Sequence, residues 1–217
     1  MMVLIAMGVF ILSHVAISRT VIKPALIERW GRSRYLLAYS VLSVVLLAWV
    51  IWAVLSADRI PLWTTPVWSY HFAAVVTLVS FILLGVGALS PNPLSVAFRR
   101  KGFDPVRPGF IGWVRHPIIW GLTLWAVAHI PANGDWPSLI LFAGSALFGL
   151  IGVQRVEKRF SEKSGPQQWS TMTSARGHFD SAAVIGICLG FALWSLFLLL
   201  HPVLFGVDPV GMLLGLL

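Results

Sequence analysis

Apolar runs as long as a bilayer is thick constrain this chain more than any other feature. A membrane-spanning helix needs about 20 mostly apolar residues, and six stretches qualify in whole or nearly so: 2–18, 36–56, 68–89, 117–134, 138–154 and 183–204. With 58% apolar and 11% charged residues, a soluble domain of 217 residues is not expected. The expected fold is all-α, one polytopic transmembrane bundle over residues 1–217 with about six spans.

The charges then orient the runs. Arg19, Lys23, Arg29, Arg32 and Arg34 follow the first; Arg99, Arg100, Lys101, Arg107 and Arg115 precede the fourth; Arg155, Lys158, Arg159, Lys163 and Arg176 follow the fifth. Only Arg59 lies in the other connections. Basic connections stay in the cytoplasm, so both termini are expected in the periplasm of a multi-pass bacterial inner-membrane protein. The net charge of +8 expresses this topology, not a nucleic-acid partner. Arg99 to Lys101 are expected to meet anionic lipid headgroups. No basic segment precedes the first run and no small-residue cleavage site follows it, so it reads as a retained helix. The single cysteine, Cys188, lies in the sixth run and rules out an intramolecular disulfide.

Ionisable groups in such runs are functional candidates, because something must offset their desolvation. His14 lies inside the first run, where an imidazole needs either a hydrogen-bonding group on a neighbouring helix or a metal. The stretch Arg115 to Asp135, R-H-P-I-I-W-G-L-T-L-W-A-V-A-H-I-P-A-N-G-D, holds His116 at the start of the fourth helix and His129 near its end. Pro117 suits the first turn of that helix, where its missing N–H costs no bond. The two histidines lie roughly 20 Å apart along the axis and roughly 220° apart around it, so one metal cannot take both.

Around His129, Trp125 and Gly121 share its face, and Gly121 lets something flat or another backbone approach. Asn133 and Asp135 either cap helix ends in the turn or orient the His129 ring. Ser145 with Gly149, and Gly186 with Gly190, have the small-residue spacing of close helix packing. His14 and His129 on different helices are what a bis-imidazole b-type haem needs, with His116 the alternative second ligand. No P-loop, dinucleotide fingerprint, HExxH or CxxC is present.

The His14 helix, R-W-G-R-S-R-Y-L-L-A-Y-S (Arg29 to Ser40), R-H-P (Arg115 to Pro117) and A-H-I-P-A-N-G-D (Ala128 to Asp135) together resemble the NnrU family of bacterial membrane proteins, over most of residues 1–180. That family is associated with denitrification and nitric oxide metabolism, and its plant relative is the 15-cis-zeta-carotene isomerase, a haem b enzyme. The resemblance implies haem b with His14 and His129 as axial ligands to iron. Arg115 and His116 are then candidates for the haem propionates, with Arg19 and Lys23 weaker ones. The isomerase carries a cysteine three residues before its second histidine, implicated in ligand switching; Ala126 stands there in this chain.

A second resemblance, R-H-P-x-x-x-G (Arg115 to Gly121) followed by Arg155, Glu157 and Gly165, is to membrane methyltransferases of the isoprenylcysteine carboxyl methyltransferase type. It implies S-adenosylmethionine at Arg115 and His116, although the paired Glu-Glu is here Val156-Glu157. Three classes follow. They are a haem protein that isomerises a long apolar molecule or carries redox chemistry, a methyltransferase, and a non-enzymatic sensor or assembly protein with an exchangeable axial position for NO.

Overall fold

In a bilayer no water satisfies the backbone, so an apolar run closes its own hydrogen bonds as a helix. The computed structural model describes residues 1–19 and 22–216, with side chains at all of these except 18, 19 and 22. Its helices are α1 (Met2–Arg19), α2 (Ile22–Trp30), α3 (Arg32–Leu55), α4 (Trp68–Leu89), α5 (Pro117–Ala132), α6 (Trp136–Thr173), α7 (Ser181–Phe205) and α8 (Pro209–Leu213), with a 3₁₀ turn at Gly109–Gly112. Among the described residues there is no strand, only one bridge between Pro61 and Asp135. Each of the six apolar runs lies in a helix, except for residue 56 and residues 133–134 at the ends of the second and fourth. Four of these, α3, α4, α6 and α7, are long and apolar enough to cross a membrane, while Met2–Ile17 and Pro117–Ala132 are shorter.

Three expected boundaries are corrected. The basic connection after the first run is helical as α2, because Pro24 falls in its opening turn and no breaker follows until Gly31. Gly31, at φ 77°, ends that helix, and α3 starts at once with Arg32 and Arg34 in its first turn. The polar stretch after residue 154 continues α6 to Thr173, since Q-R-V-E-K-R-F-S-E-K is made largely of good helix formers. Lys158 and Glu162 also pair at i,i+4, at 3.8 Å. The helix breaks only at Gly165, φ 75°, before Pro166.

The chain packs as two compact units. The first comprises Met1–Thr64 with Gly134–Gly144, the second Thr65–Asn133 with Ser145–Leu217. In the first, α1 and α2 pack on α3. Its connection after α3 is strapped to the start of α6: Leu62 N–H donates to Gly134 O at 2.7 Å and Trp136 N–H to Ile60 O at 2.9 Å.

In the second unit α4 is the central helix, packed by α5 and by α7. The expected Gly186 to Gly190 spacing is used there: a Cβ added at Gly85 of α4 would come within 2.2 Å of Gly186 O. Such backbone contact between apolar helices gains dispersion energy at little entropic cost. On the other side, Ser80 Oγ donates to Gly121 O at 2.6 Å. Gly149 of α6 likewise meets the Thr123 hydroxyl of α5, as its spacing predicts. At the first turn of α5, Gly87 of α4 lies against Pro117 and Ile118.

Candidate functional site

The segment between α4 and α5 has no regular structure beyond the 3₁₀ turn, so side chains must satisfy its buried backbone. Asn92, 1% exposed, does part of this. Its Nδ2 donates to Arg115 O at 2.8 Å, its Oδ1 accepts from Leu94 N–H at 2.9 Å, and its N–H donates to Arg99 O at 2.8 Å. Arg115 and His116 are thereby held at the mouth of α5, with His116 as the N-cap and Pro117 in the first turn.

His116 is 3% exposed, and both its ring nitrogens are engaged. Nε2 lies 2.5 Å from Glu157 Oε2 and Nδ1 lies 2.8 Å from Ser95 Oγ. A carboxylate only accepts, so Nε2 carries a hydrogen, while Nδ1 pairs with the Ser95 hydroxyl. Arg115 grips the same carboxylate through Nη2 at 2.7 Å and Nε at 3.4 Å. Glu157 lies past the apolar run 138–154. Burial pushes its carboxyl up, but the N–H bonds from His116 and Arg115 outweigh this and hold it below its ordinary value of 4.5.

Beside this group opens a cavity of about 490 Å³. Its apolar wall is Leu83, Trp120, Leu124 and Val153, with Trp113 and Val114 at one side; Arg115, His116 and Glu157 form the polar wall. An apolar hollow of that size with a few convergent polar groups is what small-molecule sites look like. Ser95 and Asn92 were not singled out from sequence. The prolines either side of Asn92 signal only an irregular segment, and nothing in the run S-P-N-P-L-S marks Ser95.

The other expected site residues separate. Gly121 serves the approach of α4, since an added Cβ there would meet Ser80 O at 2.9 Å and Leu84. His129 directs Nδ1 to Trp125 O, one turn back in its own helix, at 2.7 Å, with the two rings 5.2 Å apart. Asn133 reaches the His129 backbone, where its Nδ2 donates to the carbonyl at 2.8 Å, so it ends the helix and does not orient the ring. Asp135 belongs to the first unit and caps α6, accepting from Ser138 N–H at 2.9 Å and Ser138 Oγ at 3.0 Å, with Arg59 at 3.8 Å. That is the capping alternative for both residues.

Also in the first unit, His14 repeats the arrangement of His129. Its Nδ1 meets Phe10 O at 2.7 Å, one turn back, and the Phe10 ring stands 4.5 Å away. Nε2 faces Ser43 Oγ of α3 at 3.1 Å, and the Tyr39 ring lies 5.4 Å away edge-on. The side chain of Arg19 lies outside the described residues.

Compared with known families, residues 1–209 match the NnrU protein family. The chain belongs to the NnrU family. The match spans both units, including His14, Arg115, His116, His129 and Glu157. No curated protein and no solved structure matches the chain. Whether an NnrU protein with these residues suits haem can be tested on its donors. A carbonyl oxygen only accepts, so the Nδ1 of His14 and of His129 each carries the hydrogen, and Nε2 is the nitrogen left to accept, facing the Ser43 hydroxyl at His14. An Nδ1–H hooked to a backbone carbonyl is the usual support of a metal-ligating imidazole. His116 has the opposite arrangement, its Nε2 hydrogen being spent on Glu157. The donor chemistry at His14 and His129 fits an iron ligand. That at His116 does not.

Proposed function

We propose that this NnrU protein is a haem b-binding membrane protein, with His14 and His129 the residues that would hold the haem iron. The observation that carries the reading is the shared hook, Nδ1–H to the carbonyl one turn back, at Phe10 and at Trp125. It sets both tautomers with the hydrogen on Nδ1, the form a metal-ligating imidazole takes, and the NnrU resemblance supports haem as the group they would ligate. Bound haem would supply one-electron chemistry and a site for diatomic ligands such as NO. The chain's own residues set each ring's tautomer and restrict its rotation.

Ala126 is fully buried, and no thiol stands at its position. The reading is therefore a redox or NO-responsive protein associated with denitrification, in preference to an isomerase that works by thiolate exchange. The test is haem content by pyridine haemochrome on purified full-length protein. One haem b per chain is expected, with none after His14→Ala plus His129→Ala. Full haem in the double variant would reject the assignment.

One observation favours a second reading. Glu157 meets both Arg115 and His116 beside the cavity, uniting the residues that the methyltransferase resemblance pairs. Saturable binding of S-adenosylmethionine to wild type, lost in Glu157→Ala, would support it; no binding at millimolar ligand would reject it.

The topology proposal is six crossings in the bacterial inner membrane with the three basic connections in the cytoplasm. A periplasm-specific reporter fused after Leu217 should be active. Activity confined to a cytoplasmic reporter would overturn this topology, in span count or in orientation.

A further inference from the structure

Three observations at the cavity bear on what it holds. First, a guanidinium has five N–H donors, and Arg115 spends two on Glu157. Among the described residues no acceptor meets the other three, while the Arg115 side chain is 40% exposed. The carboxylate fixes the guanidinium plane without exhausting it, which is the preorganisation that bidentate recognition of a carboxylate or phosphate needs.

Second, the surrounding chain is strongly basic. Between residues 99 and 115 five basic side chains face one acidic, Asp104; between 155 and 163 Arg155, Lys158, Arg159 and Lys163 outnumber Glu157 and Glu162. The field of such segments favours an anion over a cation.

Third, the cavity rim is aromatic. Trp113 lines it and also joins an exposed cluster, with Phe179 at 4.8 Å and Phe110 at 5.7 Å between ring centroids. Trp113 is 45% and Phe179 62% exposed, and exposed aromatic clusters beside cationic residues settle at the headgroup level of a membrane.

From these we infer that the cavity binds an anionic amphipath drawn from the membrane. Its carboxylate or phosphate head pairs with Arg115, and its apolar body lies against Leu83, Trp120, Leu124 and Val153. His116 and Glu157 are positioning residues, holding the guanidinium at the rim. The inference is independent of haem.

The test uses full-length protein as purified in dodecyl maltoside, with dansyl-labelled undecanoic acid as the fluorescent probe. Saturable binding is expected, displaced by hexadecanoic acid and by hexadecyl phosphate but not by hexadecanol or inorganic phosphate. Arg115→Gln should weaken the probe's Kd about tenfold, and Arg115→Lys by less. Leu124→Trp, which fills the apolar wall and leaves the Arg115 to Glu157 pair intact, should also weaken it about tenfold. That second variant keeps the inference testable if Arg115→Gln fails to fold. Equal displacement by hexadecanol would reduce binding to greasy partition and overturn the inference. So would displacement by inorganic phosphate alone, an unchanged Kd in folded Arg115→Gln or Leu124→Trp, or displacement by S-adenosylmethionine with none by the acids.

Discussion

At its two ends α5 holds a histidine in opposite ways. His116, at the N-terminal end, is 3% exposed and gives both nitrogens to side chains from distant segments, Ser95 and Glu157. His129, near the C-terminal end, ties Nδ1 to a carbonyl of its own helix. A ring tied by remote side chains is part of the packing that assembles the second unit. A ring whose Nδ1 is tied to its own helix has its tautomer set locally, with Nε2 held in a defined direction. The difference separates a polar cluster that organises a cavity from an imidazole prepared as a ligand.

That contrast can be broken by stability measurements, apparent Tm in detergent serving as the readout. His116→Ala should cost most, about 2–4 kcal/mol, because it strips the buried Ser95 of its partner and leaves Glu157 with Arg115 alone. Glu157→Gln should cost less, about 1–2 kcal/mol, since an acceptor for Nε2–H remains and the carboxylate is already partly solvated. His129→Ala should cost less than His116→Ala, its Nδ1 bond to Trp125 O being local to one helix turn. A His129→Ala loss as large as that of His116→Ala would erase the distinction.

Acid should sharpen it further. The folded state holds the Glu157 carboxyl below its ordinary value of 4.5, so its contribution is complete above that pH and fades as pH falls through the lowered value. Wild type should lose more apparent stability between about pH 5 and pH 3 than Glu157→Gln does. Parallel curves for the two proteins would contradict the assigned ion group.

Much of the second unit was legible in the sequence because apolar length and small-residue spacing are local signals. The runs that became α4 and α7 matched closely, and Gly186 to Gly190 marked the crossing that forms. R-H-P announced the start of α5 through the chemistry of Pro117. What escaped depends on contacts remote in sequence. Hydropathy did not place Glu157 beside Arg115 and His116, which only the methyltransferase resemblance paired, because α6 continues past its apolar part. Ser95 and Asn92 lie in an irregular segment, so no periodicity marks the side chains that face inward. At the other end of α5 the sequence left Asn133 and Asp135 between capping and ring orientation. The packing resolves both as caps, because each finds backbone N–H or C=O groups within four residues.

The most direct measurement is the absorption spectrum of dithionite-reduced protein for wild type, His129→Ala and His116→Ala, each with and without added imidazole. The expected result is a Soret band in wild type and His116→Ala, weakened or shifted in His129→Ala and restored there by imidazole. A band lost in His116→Ala but intact in His129→Ala would place the ligand at the wrong end of α5 and contradict the account.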